Sequence, residues 1–389
     1  MPIDIENSTH VKTSDTGTVE VIVRSPDGLV YNGWKQKVDS FVANWYRYEY
    51  YRRNPVPASI DLRNMDTGDE TLNIERTRDI RGAVVNVLGF MTADKTGGYR
   101  SVILGSGQSP VGIDDYKLDT LIPHGTDPGQ MVYKDASGLG MSLENREVTV
   151  VRSFDNFSGG SVTIRETGIC SGLGVYTTLS NHALFVRDVL DVPVTVPDGY
   201  SVTVIYKLRR TTGLQFDLFY LFAAFRDSSF TIPSIRTTTN GTISYTSTGG
   251  WNTWGYLWST HGYREPDNAG VFVGTGDKIV ETTDFYLQNP IPLGTGPGTI
   301  TRSSFGVQPL IIDTVNNQIR YTVNTTFTNL SDAAHHIHES VLVMTTQNHT
   351  ASFTYNRLHG IVNRHVFESP VIFNVGRQDQ INWHFEYSL

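Results

Sequence analysis

The feature that most constrains this chain is that it repeats itself. Val102–Ile122 (VILGSGQSPVGIDDYKLDTLI) matches Val271–Ile291 (VFVGTGDKIVETTDFYLQNPI) at an offset of 169 residues. Glu147–Gly168 matches Arg320–Val341 at an offset of 173, and Val186–Leu208 matches Asn363–Phe385 at 177. Roughly 19 of 66 aligned positions are identical, in three blocks that keep their order. Each step in the offset needs only about four extra residues in a loop. A chain built this way is expected to hold two copies of one module, residues 1–209 and 210–389.

The paired positions say what kind of module it is. Gly105/Gly274 and Gly107/Gly276 fall at a strand end, where a positive φ is expected. Phe154/Phe327 and Asn156/Asn329 sit where an alternating strand runs into a turn, and Gly199/Gly376 mark a tight turn before the last strand. Along that strand Val204/Ile381, Tyr206/Trp383 and Leu208/Phe385 alternate, as one buried face requires. The 19 Tyr, 18 Phe and 6 Trp suit half-buried pleated strands, and 36 Gly with 16 Pro punctuate short runs. The expected fold is mainly β: two tandem β-sandwich (jelly-roll-like) modules, each with one short helix near its start. The first helix is expected over 35–52, where Val38, Phe41, Val42, Trp45 and Tyr48 form a stripe of helical spacing. Its counterpart is expected over 214–225. Ser201–Leu208 resembles both the last and the first strand of a module, so a shared strand and a rigid junction are expected.

Bulk properties exclude several roles. A net charge of −8 argues against nucleic-acid binding, which needs a basic surface. No apolar run approaches 18 residues, so no membrane partner is expected. Met1–Thr18 is polar and lacks a signal core, which points to a protein made in the cytoplasm. The one cysteine, Cys170, rules out an internal disulfide framework.

Four features invite a chemical reading, and the repeat weighs on each. In His335-His336-Ile337-His338-Glu339, a strand would put His336 and His338 on one face, as two zinc ligands could be. The first half has Val162-Thr163-Ile164-Arg165-Glu166 there, so an exposed polar strand face is preferred, with no metal or cofactor. Trp254, Tyr256 and Trp258 alternate, with Trp251 outside the alternation; such a face could stack on sugars or on a partner protein. Their counterparts include Val85 and Val87, which favours core packing. Asp114-Asp115 and Glu281…Asp284 could suggest a carboxylate pair or a Ca²⁺ loop, but only Asp115/Asp284 recurs, in a place that suits a turn cap. Gly105-Ser106-Gly107 lacks the third glycine of a dinucleotide loop, and no Gly-x-Ser-x-Gly, His-Glu-x-x-His or Walker sequence occurs. A catalytic role is not expected.

The first half resembles structural proteins of tailed-bacteriophage virions. The resemblance runs through Val102–Tyr116, Leu121–Gln130 (LIPHGTDPGQ), Val162–Gly168 (VTIRETG) and Phe185–Tyr206 (FVRDVLDVPVTVPDGYSVTVIY). Proteins of this type carry a GTG…DY segment, a VREVG-like strand and an ARDVL…PVTVPAG…TVTY stretch. The second half departs from the pattern: Asn374-Val375-Gly376 replaces Pro197-Asp198-Gly199, and Arg-Glu-Thr-Gly becomes His-Glu-Ser-Val. The resemblance implies a non-enzymatic virion component (capsid decoration, head–tail or collar, or tail and fibre base) that binds itself and capsid, portal-associated or tail proteins. The competing expectation is a carbohydrate- or receptor-binding module using Trp251–Trp258. A metal-dependent hydrolase built on His335–Glu339 is the third.

Overall fold

The structure is a computed structural model that describes residues 7–12, 15–38, 40–53, 61–65, 67–68, 72–73, 77–78, 84–85, 88–89, 101–142, 145, 147–173, 181–210, 233–238, 241–246, 270–280, 287, 289–349 and 355–388. The fold is mainly β, of the sandwich type, as the composition leads one to expect. Its first-half elements begin with β1 (Asn7–Lys12), β2 (Asp15–Arg24), β3 (Val30–Val38) and the helix α1 (Ala43–Arg53). Five two-residue strands follow: β4 (Asp61–Leu62), β5 (Leu72–Asn73), β6 (Thr77–Arg78), β7 (Val84–Val85) and β8 (Leu88–Gly89). The longer strands are β9 (Ser101–Gly105), β10 (Val132–Ser142), β11 (Glu147–Asp155), β12 (Val162–Leu173), β13 (Asn181–Val196) and β14 (Ser201–Arg210). In the second half come β15 (Pro233–Thr238), β16 (Gly241–Thr246), β17 (Gly270–Gly274), β18 (Thr301–Val307), β19 (Ile311–Asp313), β20 (Gln318–Thr328), β21 (His335–His349), β22 (Tyr355–Phe373) and β23 (Gln378–Ser388).

Two sheets face each other in the first half. One runs β10, β11, β14, β2, β3; in the other β12 pairs with β13, β8 and β9. Strict alternation creates the shared core: Val202, Val204, Tyr206 and Leu208 of β14 point in, as do Val19, Val21 and Val23 of the neighbouring β2. Each such side chain contributes about 1.5–3 kcal/mol by leaving water. The second half repeats the pattern with β1, β23, β20, β18 in one sheet and β17, β21, β22 in the other. Ile381, Trp383, Phe385 and Tyr387 of β23 fill its core beside Ile319, Tyr321, Val323 and Phe327 of β20. Gly199 and Gly376 take φ of 78° and 73°, in the left-handed turns expected before the last strands.

The first helix is shorter than its stripe suggests. Val30–Val38 pairs with β2 from Arg24↔Val30 to Gly17↔Val38, so ladder hydrogen bonds claim the backbone that a helix over 35–52 would need. Val38, Phe41, Val42 and Trp45 are all buried, but they line a strand end, a crossover and the first helical turn. The helix then spans the two halves. Trp45 lies against Phe41 and Phe185, with ring centroids 5.6 and 6.0 Å away. Tyr46 meets Tyr387 at 4.6 Å and Tyr50 meets Tyr321 at 5.3 Å, both in the second half. The helix expected over 214–225 lies outside the described residues. Ser201–Leu208 falls in β14, between β11 and β2 of the first half.

Candidate functional site

The most concentrated polar chemistry in the described structure is a buried glutamate on β12. Glu166 has 0% of its surface exposed. Its Oε1 accepts from the backbone N–H groups of Gly107 (3.1 Å) and Thr120 (2.8 Å). Its Oε2 accepts from the Asp119 N–H (3.1 Å) and from Arg187 Nε (2.9 Å). A carboxylate offers about four acceptor positions, and here four donors fill them. None is left for a metal or for proton abstraction. The chemical consequence is a pin: Glu166 ties both ends of the 106–120 loop to the sheet.

Arg187, on β13, extends the pin. Its guanidinium donates to Asp115 Oδ2 (2.6 Å) and to the carbonyls of Ser109 (3.0 Å) and Pro110 (3.3 Å). Burial opposes its charge, but the hydrogen bonds it donates to Asp115 and Glu166, with the charges of those carboxylates, outweigh that and hold its pKa above the ordinary value. Asp115 also accepts from the Gly112 N–H at 2.9 Å, the turn-capping role expected of it. At the loop mouth Asp119 accepts from Ser109 Oγ and from the Ser109 and Gln108 N–H groups, which lower its pKa.

The second half has the same pin at the repeat offsets. Glu339, on β21 and also fully buried, accepts at Oε1 from the N–H groups of Gly276 (3.3 Å) and Asn289 (3.4 Å). Its Oε2 accepts from Arg364 Nε at 2.8 Å. The glycines owe their place to this carboxylate and not to a positive φ, which corrects the expectation for Gly105, Gly107, Gly274 and Gly276. A Cβ on Gly105 would lie 2.6 Å from Glu166 Oε1, and one on Gly274 would lie 2.6 Å from Glu339 Oε1. The backbone must come that close for the pin to form.

A second matched feature closes each sandwich. Asn156 is buried and donates through Nδ2 to the carbonyls of Gly160 (2.7 Å) and Val196 (2.8 Å), while its Oδ1 accepts from Ser158 N–H and Oγ. Asn329 donates to Ala333 (2.8 Å) and Phe373 (2.7 Å) and accepts from Ser331 in the same way. Between the Asn and the Ser, each turn holds one apolar side chain in solvent: Phe157, 53% exposed, and Leu330, 51% exposed.

The halves differ at a buried polar group on the last strand. Tyr206 OH bonds Thr167 Oγ1 and donates to Asp188 Oδ2 at 3.0 Å. Burial and the Asp188 charge push its pKa well above the ordinary phenol value, so the phenol stays protonated. Trp383, Ser340 and His365 stand at the matching positions of the second half, with the His365 and Trp383 rings 6.3 Å apart.

Other sequence candidates fall as follows. His336 is exposed and His338 half-buried, on either side of buried Ile337, with a bulge before Glu339. His335 Nε2 hydrogen-bonds Ser331 Oγ (3.1 Å) and the Thr299 carbonyl (2.9 Å). Among the described residues no three His, Cys, Asp or Glu side chains gather as a metal cluster, and no helix is long and apolar enough to cross a membrane. Trp251, Trp254, Tyr256 and Trp258 lie outside the described residues, as do Glu281 and Asp284. Cys170 is buried in β12, with its Sγ 3.9 Å from Met65 Sδ. Glu166/Glu339 and Arg187/Arg364 were not singled out from the sequence, although each pair is identical at its repeat offset. Comparison of the chain with protein-family models, with curated proteins and with solved structures finds no match.

Proposed function

We propose that the chain is a structural component of a tailed-phage virion, built from a duplicated β module and acting through protein–protein contact. It would be made in the host cytoplasm and carried in the particle, binding copies of itself and neighbouring capsid, portal-associated or tail proteins. One observation carries this reading: both halves spend a buried asparagine on the same turn, and both turns hold an apolar side chain out in water. Single exposed apolar residues are ordinary. These two have apolar company. Near Phe157, Leu29, Val30 and Tyr31 are 67%, 61% and 59% exposed, and Tyr31 packs on Tyr200 of the adjoining turn at 5.1 Å. Near Leu330, Ile372 and Val375 are 47% and 55% exposed. The buried charges serve loop geometry and leave no open acceptor at Glu166, which suits assembly better than catalysis.

The experiment is a Phe157→Asp, Leu330→Asp double variant, followed by sedimentation and by incorporation into particles. Self-association should weaken about tenfold or more, as expected when central apolar contacts are lost. The melting midpoint should stay put, because both side chains are already in water. A wild-type chain that is monomeric at every concentration and absent from particles would sink the proposal. Glycan binding that Trp251→Ala abolishes would replace it with the carbohydrate-binding reading.

A further inference from the structure

The two sheets that hold the last strands are completed in different ways. In the first half β14 lies between β11 and β2, and β2 joins it antiparallel over ten residue pairs, Ser201↔Arg24 to Arg210↔Asp15. In the second half β23 lies between β20 and β1, and β1 joins it parallel over six pairs, Asn7↔Ile381 to Lys12↔Glu386. The slot that β2 fills in one half is thus filled in the other by the strand just before it in sequence. Only Thr13 and Ser14 separate the two strands. The chain crosses from one half to the other at that point.

The two occupants differ in composition and in the kind of ladder they make. β2 contributes Val19, Val21 and Val23 to a core. β1 reads Asn-Ser-Thr-His-Val-Lys, with one aliphatic residue in six. It joins β23 by a parallel ladder, slightly the weaker kind per residue. Among the described residues it also lies at the sheet's edge, where a strand can be replaced by another of the same sequence without changing any neighbour. Exchange with an identical strand keeps every hydrogen bond and asks only that the short connection be redirected.

We infer that β1 is an exchangeable arm, and that the β23 edge is an acceptor whose occupant in the assembled protein is residues 7–12 of a second copy of this chain. The register already fits that peptide, and every copy carries one arm and one acceptor. Reciprocal donation closes a two-fold pair, and donation in one direction from copy to copy builds a ring or a filament. In dilute solution the arm lies on its own β23, because the connection keeps its effective concentration high. The inference rests on the assembly reading above and deepens it.

The test uses the full-length chain and two cysteines at a paired position, Ser8→Cys and Asn382→Cys. Adjacent strands bring paired Cα atoms to about 5 Å, within disulfide reach. The double variant, oxidised in dilute solution, should close an intrachain disulfide. The two single variants, tagged with different masses, mixed, concentrated to assembly and then oxidised, should yield a mixed covalent dimer about tenfold above either variant mixed with wild type. Assembly with no mixed dimer would overturn the exchange and leave the assembly reading standing. Failure of the double variant to close would overturn the placement of the arm itself. A chain that never assembles and is absent from particles would sink both.

Discussion

At the pin the two halves are almost the same; one layer away they are not. Glu166 with Arg187 and Glu339 with Arg364 share the carboxylate–guanidinium bond, with Nε–Oε2 distances of 2.9 and 2.8 Å, and both glutamates accept from two matched backbone positions, Gly107/Gly276 and Thr120/Asn289. Thr167 and Asp188, next to the pin in β12 and β13, and Tyr206 of β14 are replaced at the matching places by Ser340, His365 and Trp383. The difference follows from what each group is tied to. The glutamate satisfies backbone N–H groups, which are present whatever the side chains are, so replacing it leaves several buried donors without a partner. Tyr206 bonds two other side chains, and all three can change together.

The largest effect should come from breaking the pin. Glu166→Ala removes four hydrogen bonds and leaves the Arg187 charge in a buried site, a loss of about 3–5 kcal/mol. Glu339→Ala should cost a similar amount in the second half. Urea unfolding of each variant, followed by intrinsic fluorescence, measures both. A large loss from Glu166→Ala beside a neutral Glu339→Ala would show that the equivalence is geometric only. Glu166→Gln should recover part of the loss, because its carbonyl oxygen can still accept the loop N–H groups.

A smaller effect is expected at the glycines beneath the carboxylates. A Cβ on Gly105 would lie 2.6 Å from Glu166 Cγ and 2.8 Å from the Thr120 carbonyl oxygen; one on Gly274 would lie 2.9 Å from the Asn289 carbonyl oxygen. Gly105→Ala and Gly274→Ala should each cost about 1–3 kcal/mol by overpacking. Combining Gly105→Ala with Glu166→Ala separates this cause from a backbone preference. Relief of the clash would make the double variant less destabilised than the sum of the singles. Strict additivity would mean that the glycine serves some other need.

The turns, the alternating last strands and the paired glycines were legible in the sequence because each leaves a local mark: a period of two, or a glycine at a fixed offset. Glu166 and Arg187 leave the same mark but no local reason for it, since an ionisable residue in an alternating strand looks like one that faces water. Only the recurrence of Glu at 339 and Arg at 364 separates them from surface charges. The helix over 35–52 was half legible. Val38, Phe41, Val42 and Trp45 of its stripe are indeed buried, but spacing cannot say that β2 will claim the backbone of residues 30–38. The pairing of β1 with β23 was not legible, because a polar hexapeptide carries no periodic trace of a strand.

The smallest effect, and the finest comparison, lies at His365. Burial holds its pKa below the ordinary imidazole value, against the opposing pull of Glu368. The unfolded chain has a histidine pKa of about 6.5. As pH falls through that value the unfolded state takes up the proton first, so the folded state loses stability until pH passes the lower folded pKa. The contribution is complete above the unfolded value and is lost on acidification. His365→Gln should therefore flatten the fall in the second half's unfolding midpoint between neutral and mildly acidic pH. In the first half the matching group is Asp188, a carboxylate that accepts from Tyr206 OH. Equal slopes for wild type and His365→Gln would mean that the exchange of Asp188 for His365 changed the packing between the sheets without making the second half sensitive to acid.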